Sequence, residues 1–371
     1  MKEYDYLIVG AGLFGSVFAY MAKQNGYKCL IIDKRDHIGG NCYCKNIDGI
    51  NVHTYGPHIF HTSNDEIWKF VNNFVQFNSF VNSPLAYCGD DKRLYHLPFN
   101  MTTFHEIWND VITPEEAKMR IESQKIQKSA PKNLEEQTIS MVGKTIYEKL
   151  VKGYTEKQWG KDCKELSPDI IKRLPLRFSY NNNYFNDKYQ GIPIGGYNKL
   201  SESLLKGIEV KTDCDYFSDR EYFSSIADKI VFTGCIDEYY DFCFGKLDYR
   251  SLRWDTEILN MPSYQGTAVI NYTTKEVDFT RIIEHKYFEC LTENEVNKTN
   301  FTIVSKEYPQ IYNGECIPFY PINNEKNNTT YEKYKELSLK EENVIFGGRL
   351  TEYKYYDMSP TIERALSYFK K

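Results

Sequence analysis

Four groups of residues in this chain have the types and spacing to do chemistry. Gly10-x-Gly12-x-x-Gly15 follows the apolar run Tyr6-Leu7-Ile8-Val9, and Asp33 closes a second run, Cys29-Leu30-Ile31-Ile32. In that setting the first glycine makes a tight turn, the second lets backbone N–H groups approach a pyrophosphate, and the third lets helix and strand pack closely. The start of the helix supplies a positive dipole end for phosphates. A carboxylate about 20 residues further on can accept both hydroxyls of a ribose, and argues against a cofactor phosphorylated there. The expectation is a bound dinucleotide. Lys34 follows the acid, and Gly39-Gly40-Asn41 allows a second close approach of backbone to cofactor.

The second group is His58-x-x-His61. No nearby acid or cysteine completes a metal set. Two histidines beside a cofactor ring, or one buried and one at the surface, are the readings that remain. The third group crowds Tyr154, Thr155 and Trp159 into Lys152-Gly153-Tyr154-Thr155-Glu156-Lys157-Gln158-Trp159-Gly160, with Arg173, Arg177 and Asn182-Asn183-Tyr184-Phe185 close behind. A Tyr/Trp pair can stack on a nucleobase, and an arginine fork can clamp a diphosphate or make a surface ion pair. The fourth is Gly347-Gly348-Arg349, followed by Tyr355-Tyr356-Asp357-Met358 and then Ser359-Pro360, a helix cap and first-turn proline. That helix start, aimed at a flavin, would stabilise negative charge on the reduced ring; otherwise it simply packs on the sheet. No Ser/His/Asp set and no obvious pair of catalytic carboxylates appears, and there is one dinucleotide motif rather than two.

The elements that must position these groups alternate in type. Val17, Phe18 and Met21, with Ala19 and Ala22, write a helix after the glycine turn, and Gly26 closes it. Residues from about 100 to 165 read as a helical insertion. Thr113-Pro114-Glu115-Glu116 starts one helix and Asn133 another, on which Ile139, Val142, Ile146 and Leu150 recur at helical spacing. The aromatic segment 152–160 has no clear period. Strand signals dominate from about 171 to 340: Val231-Phe232-Thr233-Gly234 in the first sheet, Ala268-Val269-Ile270-Asn271-Tyr272 and Arg281-Ile282-Ile283 in a second. Arg250, Arg281 and Tyr320 stand at ends of such runs, and Asn323 to Thr330 reads as an exposed loop. Val344-Ile345-Phe346 is a last core strand.

Composition bounds the function. A length of 371 residues suggests two to three domains, and a formal charge of −5 gives no support to nucleic-acid or anionic-membrane binding. No apolar segment approaches the ~20 residues needed to span a bilayer, and a core strand so near Met1 leaves no room for a signal peptide. The ten cysteines are scattered without a C-x-x-C pair, so reduced thiols and a cytoplasmic location are expected. The 31 tyrosines exceed what a core needs and suit a ligand cleft, though a biased composition accounts for part of them.

Taken together, these stretches resemble the bacterial UDP-galactopyranose mutases. The resemblance runs nearly end to end. It includes Arg35-Asp36-His37-Ile38-Gly39-Gly40-Asn41, Tyr55-Gly56-Pro57-His58-Ile59-Phe60-His61-Thr62, Lys172-Arg173-Leu174-Pro175 and Arg281-Ile282-Ile283-Glu284-His285-Lys286. It implies an α/β fold with three interleaved parts. These are a Rossmann-like FAD domain (residues 1–78, 191–240 and 340–371), a helical domain with a mobile substrate loop (97–170), and a twisted antiparallel sheet (79–96, 171–190 and 241–339). It implies interconversion of pyranose and furanose forms of UDP-galactose with no net redox change, reduced FAD attacking the anomeric carbon through N5. A homodimer making cell-surface polysaccharide precursors is implied as well. Relatives acting on UDP-N-acetylgalactosamine or dTDP-linked 6-deoxygalactose keep the sugar open.

The resemblance also assigns residues. Arg173 and Arg281 grip the diphosphate, Tyr154 stacks on uracil, and Thr155, Trp159 and Asn271 lie beside the nucleotide. Tyr184, Tyr320 and Tyr355 hold phosphate oxygens, with Asn82 and Arg250 near the sugar. His58 sits against the flavin. Further cofactor contacts are implied from Leu13, Phe14, Ile59 and Phe217, and from Gly234, Arg349, Tyr356, Asp357 and Met358. Two other classes share parts of this pattern. An FAD oxidoreductase of the amine-oxidase type would consume an acceptor continuously, and a silent nucleotide–flavin binding protein would show no turnover with reduced flavin.

Overall fold

The computed structural model describes residues 2–126, 130–171 and 174–370. The chain forms two compact units, one of Met1–Ser79, Lys188–Ser251 and Ile311–Lys371, the other of Phe80–Asp187 and Leu252–Gln310.

A parallel sheet organises the first unit. Its five strands follow the order Val344–Phe346, Ala227–Phe232, Tyr4–Val9, Cys29–Ile32, Glu209–Lys211, and every neighbouring pair is parallel. Strands covered on both faces must be apolar along their length, and Cys29–Ile32 is buried at all four positions. The register is level. Val9 pairs with Ile32 on one side and Phe232 on the other, and Phe232 pairs with Phe346. Gly10, Asp33, Thr233 and Gly347 therefore leave the sheet together at its carboxyl edge. The strand order reverses there, at Tyr4–Val9, which is where open parallel sheets bind ligands. Helix Leu13–Gln24 packs Val17, Phe18, Ala19 and Ala22 inward, and Gly26 follows its end at φ +85°.

In the second unit a sheet carries helices. Its strands run in the order 252–259, Thr302–Ile311, Arg281–Glu284, Val269–Tyr272, Leu85–Cys88, Arg93–His96. The sheet is not wholly antiparallel, because Val269–Tyr272 runs parallel to Leu85–Cys88. The long insertion between those strands, rather than a hairpin, joins them, so nothing forces opposite directions. Helix Pro114–Glu122 starts on a Thr113/Glu116 capping box, and Asn133 caps helix Leu134–Val142 through the Glu136 N–H. Ile139, Val142, Ile146 and Leu150 join a core with Tyr95, Phe104, Trp108, Ile121 and Leu134. Each such side chain contributes about 1.5–3 kcal/mol by leaving water.

Two elements differ from expectation, and in a third, inside the expected helical stretch, the structure accounts for the missing period. The aromatic segment is helical: Tyr147–Lys152 is a π-helix running into helix Gly153–Trp159, which ends at Gly160 with φ +64°. The wider π turn shifts the helical phase, which hides a 3.6-residue period. The run from Asn323 to Thr330 is no loop, since Asn324 caps helix Glu325–Ser338 by accepting from the Asn327 N–H at 2.8 Å. That helix buries Asn327 and Tyr334, too little to write an apolar stripe. Ser359 does not cap the last helix. Met358–Ser367 begins after Asp357, and the Ser359 hydroxyl lies 2.8 Å from that of Thr62.

Candidate active site

In the first unit the glycines meet each other. A Cβ on Gly15 would lie 2.0 Å from the Gly10 carbonyl oxygen, and one on Gly40 would lie 2.8 Å from the Gly12 Cα. Gly10 itself sits at φ +111° against Thr233. The Gly39 N–H donates to the Ala11 carbonyl at 2.9 Å, so the two glycine segments form one side-chain-free cradle. Above it starts helix Leu13–Gln24, whose first N–H groups carry no side-chain cap among the described residues. That is the arrangement a pyrophosphate needs.

Asp33 is buried, and its first task is structural. Oδ2 accepts the Ala11 N–H at 2.7 Å and Oδ1 accepts the Arg35 N–H at 2.9 Å. A carboxylate has about four acceptor sites, enough to serve ribose hydroxyls as well. Lys34, next to it, is exposed. Arg35 went unassigned in the sequence. Its guanidinium stands 4.5 Å from the centre of the Tyr55 ring, and Nη2 donates to Asn41 Oδ1 at 2.9 Å. Nη1 is buried with no partner among the described residues. The scarcity of arginine in this lysine-rich chain was the signal available for it.

His58 and His61 sit in different local settings. The His58 backbone N–H donates to His53 Nδ1 at 3.2 Å. Its own Nδ1 lies 2.8 Å from the Gly56 carbonyl, which requires the proton on Nδ1 and turns Nε2 into the ring's second site. His61 lies in strand Phe60–Thr62 opposite Gln190. Among the described residues no three metal-ligating side chains cluster.

Several implied cofactor residues play packing roles. A Cβ on Gly347 would strike the buried Phe14 ring at 2.1 Å, and one on Gly234 would strike Phe232 at 2.7 Å. Phe217 packs on Phe232 at 5.9 Å between ring centres, and Ile59 is buried. The Tyr356 hydroxyl donates to Glu352, which also accepts from Arg364 at 2.7 Å. Met358 Sδ lies 3.6 Å from Cys42 Sγ, beside the uncapped Asp357 helix start. Two substrate candidates do come together: Tyr320 and Tyr355 stack at 5.6 Å and 26°, with the Arg349 guanidinium 5.7 Å from the Tyr320 ring. Arg250 is buried and pairs with Tyr320 across strands.

In the second unit one row across the sheet carries the charge. Asn271, Arg281 and Glu307 are direct neighbours on adjacent strands. Such neighbours share a face of the sheet. Arg281 Nε donates to Glu307 Oε2 at 2.7 Å, and Nη2 donates to the same oxygen. Glu307 is fully buried and takes the Thr280 hydroxyl on Oε1 at 2.7 Å. Asn271 Oδ1 is buried with no partner among the described residues. Tyr184 and Asn82 are joined, the Tyr184 N–H donating to the Asn82 carbonyl at 2.7 Å. Arg177 is no clamp: its guanidinium bonds the Asn183 and Phe185 carbonyls and Asn186, so it shapes the loop. Tyr154, Thr155 and Trp159 lie on helix Gly153–Trp159, Thr155 buried and Trp159 packed on the unit's core. Arg173 lies outside the described residues.

A family model for UDP-galactopyranose mutase matches residues 149–355, and one for NAD(P)-binding Rossmann-like domains matches 8–74. The probable UDP-galactopyranose mutase of Klebsiella pneumoniae is 38% identical over 99% of this chain and 94% of its own length. The dTDP-fucopyranose mutase of Escherichia coli is 36% identical over 97% and 96%. The chain belongs to the UDP-galactopyranose mutase family. A crystal structure of reduced UDP-galactopyranose mutase shares its fold, with a TM-score of 0.71 at 14% identity over 99% of this chain and 95% of that one. Like the family, the chain is a flavin-dependent mutase. The side-chain-free cradle, the uncapped helix start and the orphaned Arg35 Nη1 suit a flavin dinucleotide.

Proposed function

We propose that this mutase interconverts UDP-galactopyranose and UDP-galactofuranose, working with reduced FAD. The observation that carries the reading is the row of Asn271, Arg281 and Glu307, a fixed arginine beside an orphaned amide oxygen, in a chain matched along its length by members of this family. A reduced flavin, when bound, supplies the nucleophile for the sugar's anomeric carbon.

The protein's part is positioning and charge. Arg281, oriented by Glu307, neutralises the diphosphate as it leaves and holds it for return. Arg173 is proposed as the second cation on the diphosphate. Tyr154 stacks on uracil, and Asn271 Oδ1 accepts a hydrogen bond from the nucleotide. Tyr184, Tyr320 and Tyr355 give hydroxyls to phosphate oxygens, while Arg250 and Asn82 flank the sugar. His58, with its proton on Nδ1, offers Nε2 to the cofactor. In this reading the enzyme is a cytoplasmic homodimer that feeds cell-surface polysaccharide synthesis.

A second reading, the same reaction on a dTDP-linked 6-deoxygalactose, is favoured by the 36% identity to a dTDP-fucopyranose mutase. One assay separates them. Purified holoenzyme, with flavin oxidised or dithionite-reduced, receives UDP-galactose, UDP-N-acetylgalactosamine or dTDP-fucose, and pyranose–furanose conversion is followed chromatographically. Conversion of UDP-galactose only under reduction is expected. Preference for dTDP-fucose selects the second reading, and flavin cycling without conversion discards both.

A further inference from the structure

Lys157, on helix Gly153–Trp159, takes no part in the roles above. Its ammonium donates to three carbonyls: Tyr272 at 2.8 Å, Val277 at 3.2 Å and Phe279 at 2.8 Å. Tyr272 ends strand Val269–Tyr272, and Val277 and Phe279 lie in the segment connecting it to strand Arg281–Glu284. An ammonium has three N–H groups, so the set is filled. Burial lowers the Lys157 pKa to about 8, and at neutral pH the group remains a three-proton donor.

The same contact is built from both sides. A Cβ on Gly153 would lie 1.9 Å from the Thr273 carbonyl oxygen, so the helix can sit this close only with glycine at its first position. The Thr273 hydroxyl donates to the Lys149 carbonyl at 2.7 Å, one turn before that glycine. Glu156, beside Lys157, pairs with Lys275 in the connecting segment. Tyr154 and Thr155 are therefore flanked by residues that bind the connection between Asn271 and Arg281.

We propose that Lys157 is a positioning residue that locks the helix carrying the nucleobase-binding Tyr154 to the hairpin carrying Asn271 and Arg281, and so fixes the spacing between base and diphosphate. The nucleotide part of this inference rests on the function proposed above; the lock itself does not.

The test compares Lys157→Met, which keeps length and loses all donors, with Lys157→Arg, in the flavin-loaded enzyme. Hydrogen exchange is followed in residues 153–160 and 272–280, alongside UDP titration and steady-state kinetics. For Lys157→Met, faster exchange in both segments is expected. Its UDP dissociation constant and KM should rise by about tenfold, on the scale of hydrogen bonds from a charged donor, and kcat should change by less than about threefold. Lys157→Arg should recover most of the affinity. Thr273→Val, a milder cut in the same contact, should move exchange and UDP affinity in the same direction. Unchanged exchange in Lys157→Met and Thr273→Val overturns the lock. Faster exchange with unchanged UDP affinity overturns the positioning role, as does a loss confined to kcat. If the wild-type enzyme binds no UDP, the nucleotide reading fails, and the exchange comparison still decides the lock.

Discussion

Glu307 has no contact role in the proposed reaction, but it decides what Arg281 can do. A half-buried arginine with a fully buried carboxylate on its Nε edge has little rotational freedom left. Replacing Arg281 with alanine is expected to lower kcat by roughly 10²–10³-fold, the scale of losing one oriented charge donor. Glu307→Gln, which keeps the shape and removes the charge, should cost roughly tenfold; equal rates in steady-state assays would refute the orienting role. Gly40→Ala tests the cradle. With φ at +55° and a new Cβ 2.8 Å from Gly12, the variant should purify with most of its flavin missing, read from the visible absorbance of the protein. The glycines and Asp33 were legible in sequence because their constraint is local to a strand and the turn after it. Glu307 and Lys157 were not, because their partners arrive through strand pairing and helix docking across tens to over a hundred residues.

At the scale of elements, caps spoke more clearly than periodicity. Thr113 and Asn133 begin helices where their residue types place them, but Ser359 is occupied by Thr62 and yields its place to Asp357. The helix Glu325–Ser338 was hidden by its own polarity. Because Asn324 caps it, Asn324→Ala should lower unfolding stability by about 1 kcal/mol, measured by denaturant titration; no change would mean that the helix is held by its buried Asn327 and Tyr334 rather than by its cap. The π-helical turn at Tyr147–Lys152 shows why the aromatic segment had no readable period: phase analysis assumes a constant twist, and this stretch changes it.

For the molecule as a whole, the order and level register of the parallel sheet bring Gly10, Asp33, Thr233 and Gly347 to one edge, although they come from widely separated stretches. The Rossmann-like class was readable from a single strand–turn–helix–strand unit. The parallel pairing of Val269–Tyr272 with Leu85–Cys88 was not, since direction across a long insertion leaves no mark on either strand. Acid should weaken the whole chain through His285, which is fully buried 2.8 Å from the Ser305 hydroxyl and whose pKa burial lowers to about 3. Unfolded, it would take a proton near pH 6.5. Its contribution to stability is thus complete above that value. It falls as pH drops below about 6.5, by at most about 1.4 kcal/mol per pH unit, and is lost below about 3. His285→Gln should flatten that part of the pH–stability curve, and a parallel curve would exclude His285 as its source.

The middle strand of the sheet, Tyr4–Val9, has a further consequence for how the protein is made. It is made before the other strands of its sheet, yet one of its two neighbours, Ala227–Phe232, is synthesised more than 200 residues later. At roughly 5–20 residues per second, that edge waits on the order of 10 to 45 seconds for its partner. Throughout that interval an apolar strand is exposed along one side, so nascent chains stalled before Ala227 should depend on chaperones and precipitate without them. Chains released after Phe346 should not.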